Sequence, residues 1–349
     1  MDSRQIDLLI DELFNYLQSI QNADGSFETL CLQPAHRPAD GWFKYFGNSP
    51  HDTAVTCIPL LKMQHKKAKN ILLKAGTFIR NESLDGLLWR YPSEGNFDLV
   101  PFDTDSTSLC SYLLEKLGYI IENKHFLVQQ IDSTSYFPFY IFHKGIPPHL
   151  PIKTALKLWW FNRKAINSTN VTNRGLLLDD SEFCSTCVNL LYLGNEQATK
   201  PVWNRINTEF ESMQIDFLYY IDIYRAFYFY SRLASYEKFS NCSFVESTIL
   251  QYKKKLSASD WLERSPLNHL LLSIGLLLFK TDLPEELTTL CFHQILNKNY
   301  TLPQPLYSSN VKTDFDKNTN QPHSYFGSPA ITTALYLEFL HLYKQLQKK

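Results

Sequence analysis

Asp103 and Asp105 stand one residue apart in the run VPFDTDSTSLCSYLLEKL, Val100 to Leu117. Two carboxyl groups held this close cannot both ionise cheaply, so such a pair tends to share a proton. A shared proton in a dry place is the starting point of general-acid chemistry, and Ser106 and Thr107 beside it can orient the pair by hydrogen bonding. The same residues also have a purely structural reading. Leu109, Leu113, Leu114 and Leu117 fall at helical spacing, which makes Asp103 a helix N-cap and Asp105 a favourable first-turn charge. The two readings part on protonation. A helix dipole favours the ionised carboxylate, so only burial can keep Asp105 protonated.

Aromatic residues are the second chemical resource, at 14% of the chain. That suits a large core or a cavity walled with rings, whose faces steady a cation by roughly 0.5–2 kcal/mol each. Trp42, Phe43, Tyr45, Phe46, Trp89, Tyr91 and Phe102 lie in loops or first turns near the aspartates. Tyr219, Tyr220, Tyr224, Tyr325 and Phe326 occupy matching places further along. Core packing is the competing fate for each. His51-Asp52 is an acid–base pair or a helix cap, and His323 precedes a similar helix. Arg37, Lys44, Arg90, Arg174 and Arg225 are the cations suited to an anionic group. Arg225 lies in the apolar stretch YYIDIYRAFYFY, with Asp222 three residues before it as a partner. Cys184 and Cys187, with Asp179, Asp180 and His323, are the zinc alternative; their place in an apolar helix reads as core, and no metal is expected.

These residues must be positioned by helices. Ser49-Pro50, Ser265-Pro266 and Ser328-Pro329 each read as an N-cap followed by proline at the first helical position, where its missing N–H costs nothing. With Asp103, Asp179/Asp180 and Asp222 as further caps, six mostly apolar helices start near 50, 104, 181, 222, 266 and 329. Six more polar, amphipathic segments alternate with them: 4–20, 65–80, 152–164, 198–212, 244–256 and 284–296. No strands are expected to interrupt the alternation, apart from a β-like run at 134–142 within an insertion at about 119–150. Stacked helical hairpins closed on themselves give an all-α (α/α)6 toroid, a single domain over 1–349. A net charge of −1 excludes nucleic acid as an electrostatic partner. The N-terminus is amphipathic, 270–279 is too short to span a bilayer, and seven scattered cysteines are no disulfide framework, so a soluble, cytoplasmic protein is expected.

Gln21-Asn22-Ala23-Asp24-Gly25-Ser26-Phe27 resembles the Gln-x3-Gly-x-Trp repeat of squalene-type cyclases, with Phe27 in place of Trp. Asp85-Gly86 followed by Trp89 is a degenerate second copy. Asp103-Thr104-Asp105-Ser106-Thr107 is similar to the Asp-x-Asp-Asp motif of class II terpene cyclases, and closer to the Asp-x-Asp-Thr-Thr variant of some bacterial sesquiterpene cyclases. Ser106 stands where most of the family has Asp or Thr. Over nearly its whole length the chain resembles the toroid superfamily of terpenoid cyclases and protein-prenyltransferase β subunits.

That resemblance implies that the repeat ties an outer helix to the next loop. It implies that Asp105 protonates an alkene or epoxide of a linear isoprenoid, with Asp103 as partner. The substrate is then a polyprenyl or meroterpenoid chain, and Mg2+ enters only if it is a diphosphate. Trp42, Tyr45, Phe46, His51, Asp52, Trp89, Phe102, Thr107, Tyr220, Tyr224, Arg225, Tyr325 and Phe326 are the expected substrate contacts. Class II cyclases usually carry a second helical domain, and its absence here points to a homodimer or helper subunit, with peripheral membrane contact for substrate uptake. Two other classes stay open: a non-catalytic toroid that binds a lipid or protein, and a glycan-active enzyme using Asp103 or Asp105 with Asp52.

Overall fold

The serine–proline pairs do cap helices. The hydroxyls of Ser49, Ser265 and Ser328 accept the backbone N–H of Asp52, Asn268 and Ala330, and the following prolines open the helices. The computed structural model describes residues 2–32, 44–91, 101–133, 135–138, 141, 150–166, 182–194, 196–212, 214–215, 220, 223–235, 265–308, 315–316, 321–322 and 325–347. The helices are α1 (Ser3–Ser19), α2 (Pro50–Cys57), α3 (Lys66–Asn81), α4 (Thr104–Lys116), α5 (Lys124–Val128) and α6 (Ile152–Ile166), then α7 (Phe183–Leu193), α8 (Lys200–Ser212), α9 (Ile223–Ala234), α10 (Pro266–Leu278), α11 (Glu285–Leu296) and α12 (Pro329–Leu346). The helix expected at 244–256 lies outside the described residues, as do the caps Asp179, Asp180 and Asp222. For α7 the capping position is Glu182, in extended conformation.

Packing follows the polarity of each helix. Every residue of α2 and of α7 is buried, whereas α1 buries only Ile6, Leu13, Phe14 and Leu17. The apolar helices touch in a cycle: α2 against α4, α4 against α7, α7 against α9, α9 against α10, α10 against α12, and α12 back against α2. The amphipathic helices lie outside them, α3 on α2, α8 on α7, α11 on α10, and α1 on α12 and α3. Among the described residues no helix is long and apolar enough to cross a membrane.

One expectation is corrected. Strands were not expected, yet β1 (Glu28–Leu32), β2 (Lys44–Asn48), β3 (Gln304–Ser308) and β6 (Tyr325–Ser328) form an antiparallel sheet in the order β2-β1-β6-β3. The short pair β4 (Phe315–Asp316) and β5 (Gln321–Pro322) stands apart. Strands this short show no readable alternation, and β1 pairs with β6 from the far end of the chain, which no local pattern can signal. Of the run 134–142, Tyr136, Phe137 and Ile141 are buried, and the Ile141 amide donates to the Phe102 carbonyl at 2.8 Å.

A repeated clamp fixes the helix starts. Gln21 Nε2 donates to the Gly25 carbonyl (3.0 Å) and to the Ile71 carbonyl of α3 (3.1 Å), so the first motif ties α1 to the next outer helix. Thr53, Thr107 and Thr332 each stand four residues after a helix cap. Their hydroxyls accept the amides of Phe27 (3.2 Å), Trp89 (3.1 Å) and Gln304 (3.3 Å). Gly25 makes the first clamp possible. Its φ is +98°, and a Cβ there would fall 2.2 Å from the Lys74 carbonyl oxygen of α3. Gly86 also has a positive φ, +77°, but open space around it. Gly25→Ala is therefore expected to destabilise by more than the roughly 1–3 kcal/mol of left-handed strain alone, and Gly86→Ala by no more than that. Denaturant midpoints of the two variants measure the difference, and equal losses contradict it.

Candidate active site

The N-terminal ends of α2, α4 and α7 converge, and each delivers polar side chains to one point. Asp103 is the N-cap of α4: its Oδ1 accepts the Ser106 amide at 2.7 Å and its Oδ2 the Tyr91 amide at 3.0 Å. Asp105, in the first turn, is only 3% exposed. Its Oδ1 accepts the same Ser106 amide at 2.9 Å, and its Oδ2 accepts Ser185 Oγ of α7 at 3.2 Å. His51 of α2 places Nε2 3.8 Å from Asp105 Oδ2 and Nδ1 3.1 Å from Asp52 Oδ1. Thr29 of β1 donates to the other Asp52 oxygen. Ser185 is also 3.0 Å from Glu182 Oε2, whose other oxygen accepts the Tyr220 amide at 2.7 Å.

Rings surround the histidine. Tyr91 and Tyr307 each meet His51 edge-on with centroids 5.6 Å away, and Tyr307 lies 6.1 Å from Phe326 and 6.0 Å from Tyr220. Ser106 Oγ and Tyr307 Oη are buried without a hydrogen-bond partner among the described residues.

This environment sets the protons. Burial, and then the charge of neighbouring Asp105, pushes the Asp103 carboxyl well above the usual carboxylate range. Burial disfavours a charge on His51, but the hydrogen bond to Asp52 and the charges of Asp105 and Asp52 outweigh it, and its pKa is raised. The cluster thus favours bound protons on Asp103 and on His51, either side of Asp105.

One turn inward the chemistry changes. Val55 follows His51 by four residues and Leu109 follows Asp105 by four, so they continue the same helix faces. Both line a narrow apolar cavity with Ile58, Cys187, Val188, Leu191, Tyr228, Phe229 and Arg232. The acid cluster thus lies one helical turn from that lining, on the same faces of α2 and α4.

Other expected site residues are placed differently. Thr107 Oγ1 is engaged with the Trp89 backbone, and Trp89 Nε1 donates to the Ile79 carbonyl at 2.7 Å. Phe102 packs edge-on against Phe161, centroids 5.1 Å apart, with Arg90 above both rings. Arg225 ties the helix ring to β3, donating to the carbonyls of Leu306 (2.7 Å) and Pro305 and to Asn268 Oδ1 (3.0 Å). Tyr224, one residue earlier, is buried in the first turn of α9. Cys184 and Cys187 are buried in α7, and burial pushes the Cys187 thiol up. Among the described residues no cluster of three or more His, Cys, Asp or Glu is placed to hold a metal. Arg37, Trp42, Phe43, Arg174, Tyr219 and His323 lie outside the described residues. Lys44, Tyr45 and Phe46 are described only as backbone of β2, and Tyr325 only as backbone of β6.

Sequence reasoning missed Ser185, Glu182, Thr29 and Tyr307. A signal for the first existed. Thr186 stands in α7 where Thr53 and Thr107 stand in α2 and α4, so aligning the three threonines puts Ser185 beside Asp52 and Ser106.

No protein-family model matches the chain, and no curated protein matches it. Among solved structures the chain is similar to the type II terpene cyclase MstE from Scytonema, an Asp-to-Asn variant in complex with its substrate geranylgeranyl dihydroxybenzoate. Identity is 13% and the TM-score 0.64, with 98% of this chain and 97% of that one covered. A protein from Actinoplanes matches at 15% identity and TM-score 0.63, over 97% of this chain and 99% of that one. The chain has a terpene cyclase-like fold.

The raised pKa values make a stability prediction with a definite sign. A group raised by folding binds more protons folded than unfolded, so stability falls as pH rises between its two values. For Asp103 the loss begins above its ordinary 3.8. For His51 the contribution is complete below its ordinary 6.5 and disappears as pH climbs through the higher folded value. The thermal midpoint is expected to be higher at pH 6 than at pH 8, and His51→Gln to flatten that slope. A midpoint that rises over this interval contradicts the assignment.

Proposed function

We propose that this chain is a class II-type terpene cyclase that protonates a linear isoprenoid from Asp105 and closes rings in the apolar cavity beneath it. One observation carries the reading: two buried carboxyls, Asp105 and an Asp103 whose proton burial favours, stand one helical turn from an apolar cavity within a cycle of helices. We read that cycle, with its outer layer, as an (α/α)6 toroid forming one domain over 1–349 with an insertion at about 119–150. The similarity to MstE supports a prenyl chain as substrate, including one with an aromatic head.

The proposed reaction is an isomerisation. Asp105 gives its proton to the terminal alkene or epoxide, and the nearest double bond attacks the resulting cation to form a ring bond. Successive bonds move the charge down the chain over the faces of rings such as Tyr228 and Phe229. Loss of a proton ends the sequence. His51, 3.8 Å from Asp105, is placed to return one to it. Asp52 and Thr29 hold His51 in orientation, and Ser185 does the same for Asp105.

Purified protein incubated with farnesyl and geranylgeranyl chains, free, diphosphorylated or attached to a phenol, is expected to give cyclic products visible by mass spectrometry. Asp105→Asn should lower the rate by about 10²–10⁴-fold while folding normally. A well-folded wild type that cyclises none of them removes the reading and leaves Asp105 as a first-turn charge.

A further inference from the structure

Glu182 occupies the capping position of α7 without capping it. Ser49 and Asp103, at the same place in α2 and α4, accept a first-turn amide as capping residues do. The Glu182 carboxyl is turned elsewhere. Its Oε1 accepts the Tyr220 amide at 2.7 Å, and its Oε2 stands 3.0 Å from Ser185 Oγ. The same serine oxygen lies 3.2 Å from Asp105 Oδ2. All three residues are buried, so one hydroxyl bridges two carboxyl groups away from water.

Proton counting constrains this bridge. A serine hydroxyl carries one hydrogen, and an ionised carboxylate only accepts. With both carboxyls ionised, Ser185 would satisfy one of them or split its hydrogen between the two. Two buried negative charges would then face each other across it. With one proton on the pair, both contacts become hydrogen bonds: the protonated carboxyl donates to Ser185 Oγ, and the serine donates to the other. Exchange between the two arrangements is short. The Glu182 proton moves to Ser185 Oγ as the serine proton moves to Asp105 Oδ2. One O–H bond breaks at Glu182, one forms at Asp105, and the hydroxyl ends as it began. Whichever carboxyl is left charged keeps a backbone donor, the Ser106 amide for Asp105 and the Tyr220 amide for Glu182. His51 Nε2, 3.8 Å from Asp105 Oδ2, is further from that oxygen than the serine is.

We propose that Ser185 carries a shared proton between Glu182 and Asp105, and that Glu182 reloads Asp105 by this route once its proton has gone to substrate. Each turnover releases one proton from the product, which balances the one taken up again at Glu182. Glu182 acts through the serine and is a positioning residue for the proton. The inference rests on the cyclase reading, to which it adds the source of the acid's proton.

Infrared absorption of the resting protein at neutral pH reads protonated carboxyls by their C=O stretch and needs no substrate. Glu182→Gln is nearly isosteric, and its amide N–H donates to Ser185 Oγ in place of the shared proton, so Asp105 can ionise. The variant is expected to lose one protonated-carboxyl band, whichever residue carries it. Ser185→Ala removes the bridging hydroxyl and should shift that band. A folded Glu182→Gln protein with every band intact overturns the proposal, and so does an unshifted band in folded Ser185→Ala. In turnover, both variants are expected to lower kcat by about 10²-fold with KM unchanged, and Ser185→Thr, which keeps a hydroxyl, to recover part of the loss. Cyclic products formed by Glu182→Gln at the wild-type kcat remove only the relay. The expected infrared changes in a protein that cyclises nothing remove only the cyclase reading.

Discussion

Burying Asp103 beside Asp105 at a helix N-terminus is the constraint around which the rest is arranged. The helix end and the Ser106 amide, shared by both carboxyls, favour negative charge. Burial and mutual repulsion favour a proton. Neither tendency eliminates the other, because the two groups sit on one turn and cannot separate. The surroundings then fix which oxygen is committed to what. Tyr91 and Ser106 amides occupy Asp103, leaving it a cap, while Asp105 faces His51 and Ser185 across the helix boundaries.

That arrangement requires three helix starts to meet within hydrogen-bonding range, which the clamps secure. Thr53 and Thr107 hold the segments before α2 and α4 against the helices they precede, and Gln21 with Gly25 locks the first of these to α3. The sheet does the same for the two ends of the chain. Through β1 and β6 it joins the segment before α2 to the segment before α12, beside the direct contact of those two helices that closes the cycle. Arg225, buried among carbonyls of β3, fastens the opposite side.

Local physics was legible in the sequence and convergence was not. The helices follow from apolar spacing and from caps such as Ser49, Ser265, Ser328 and Asp103, all local features, and all four caps are in place. The sheet was not legible, because its strands are four or five residues long and its central pair, β1 with β6, joins segments nearly a full chain apart. The Asp103–Asp105 pair and His51-Asp52 could be read as chemistry from their spacing alone. That they face each other, and that Ser185 and Glu182 complete the site, depends on packing between helices far apart in sequence. The threonine register was the one sequence feature that carried some of this information.

The two polar clusters, Asp105 with His51 one turn above the cavity lining and Arg232 with Glu338 beside it, share an electrostatic logic. At the upper end a carboxylate on Asp105, only 3% exposed, calls for a compensating charge. His51, whose pKa is raised by Asp52 and Asp105 despite burial, supplies a compensating positive charge 3.8 Å away. At the lower end Glu338 compensates Arg232. Each cluster therefore presents hydrogen-bonding groups with little net charge.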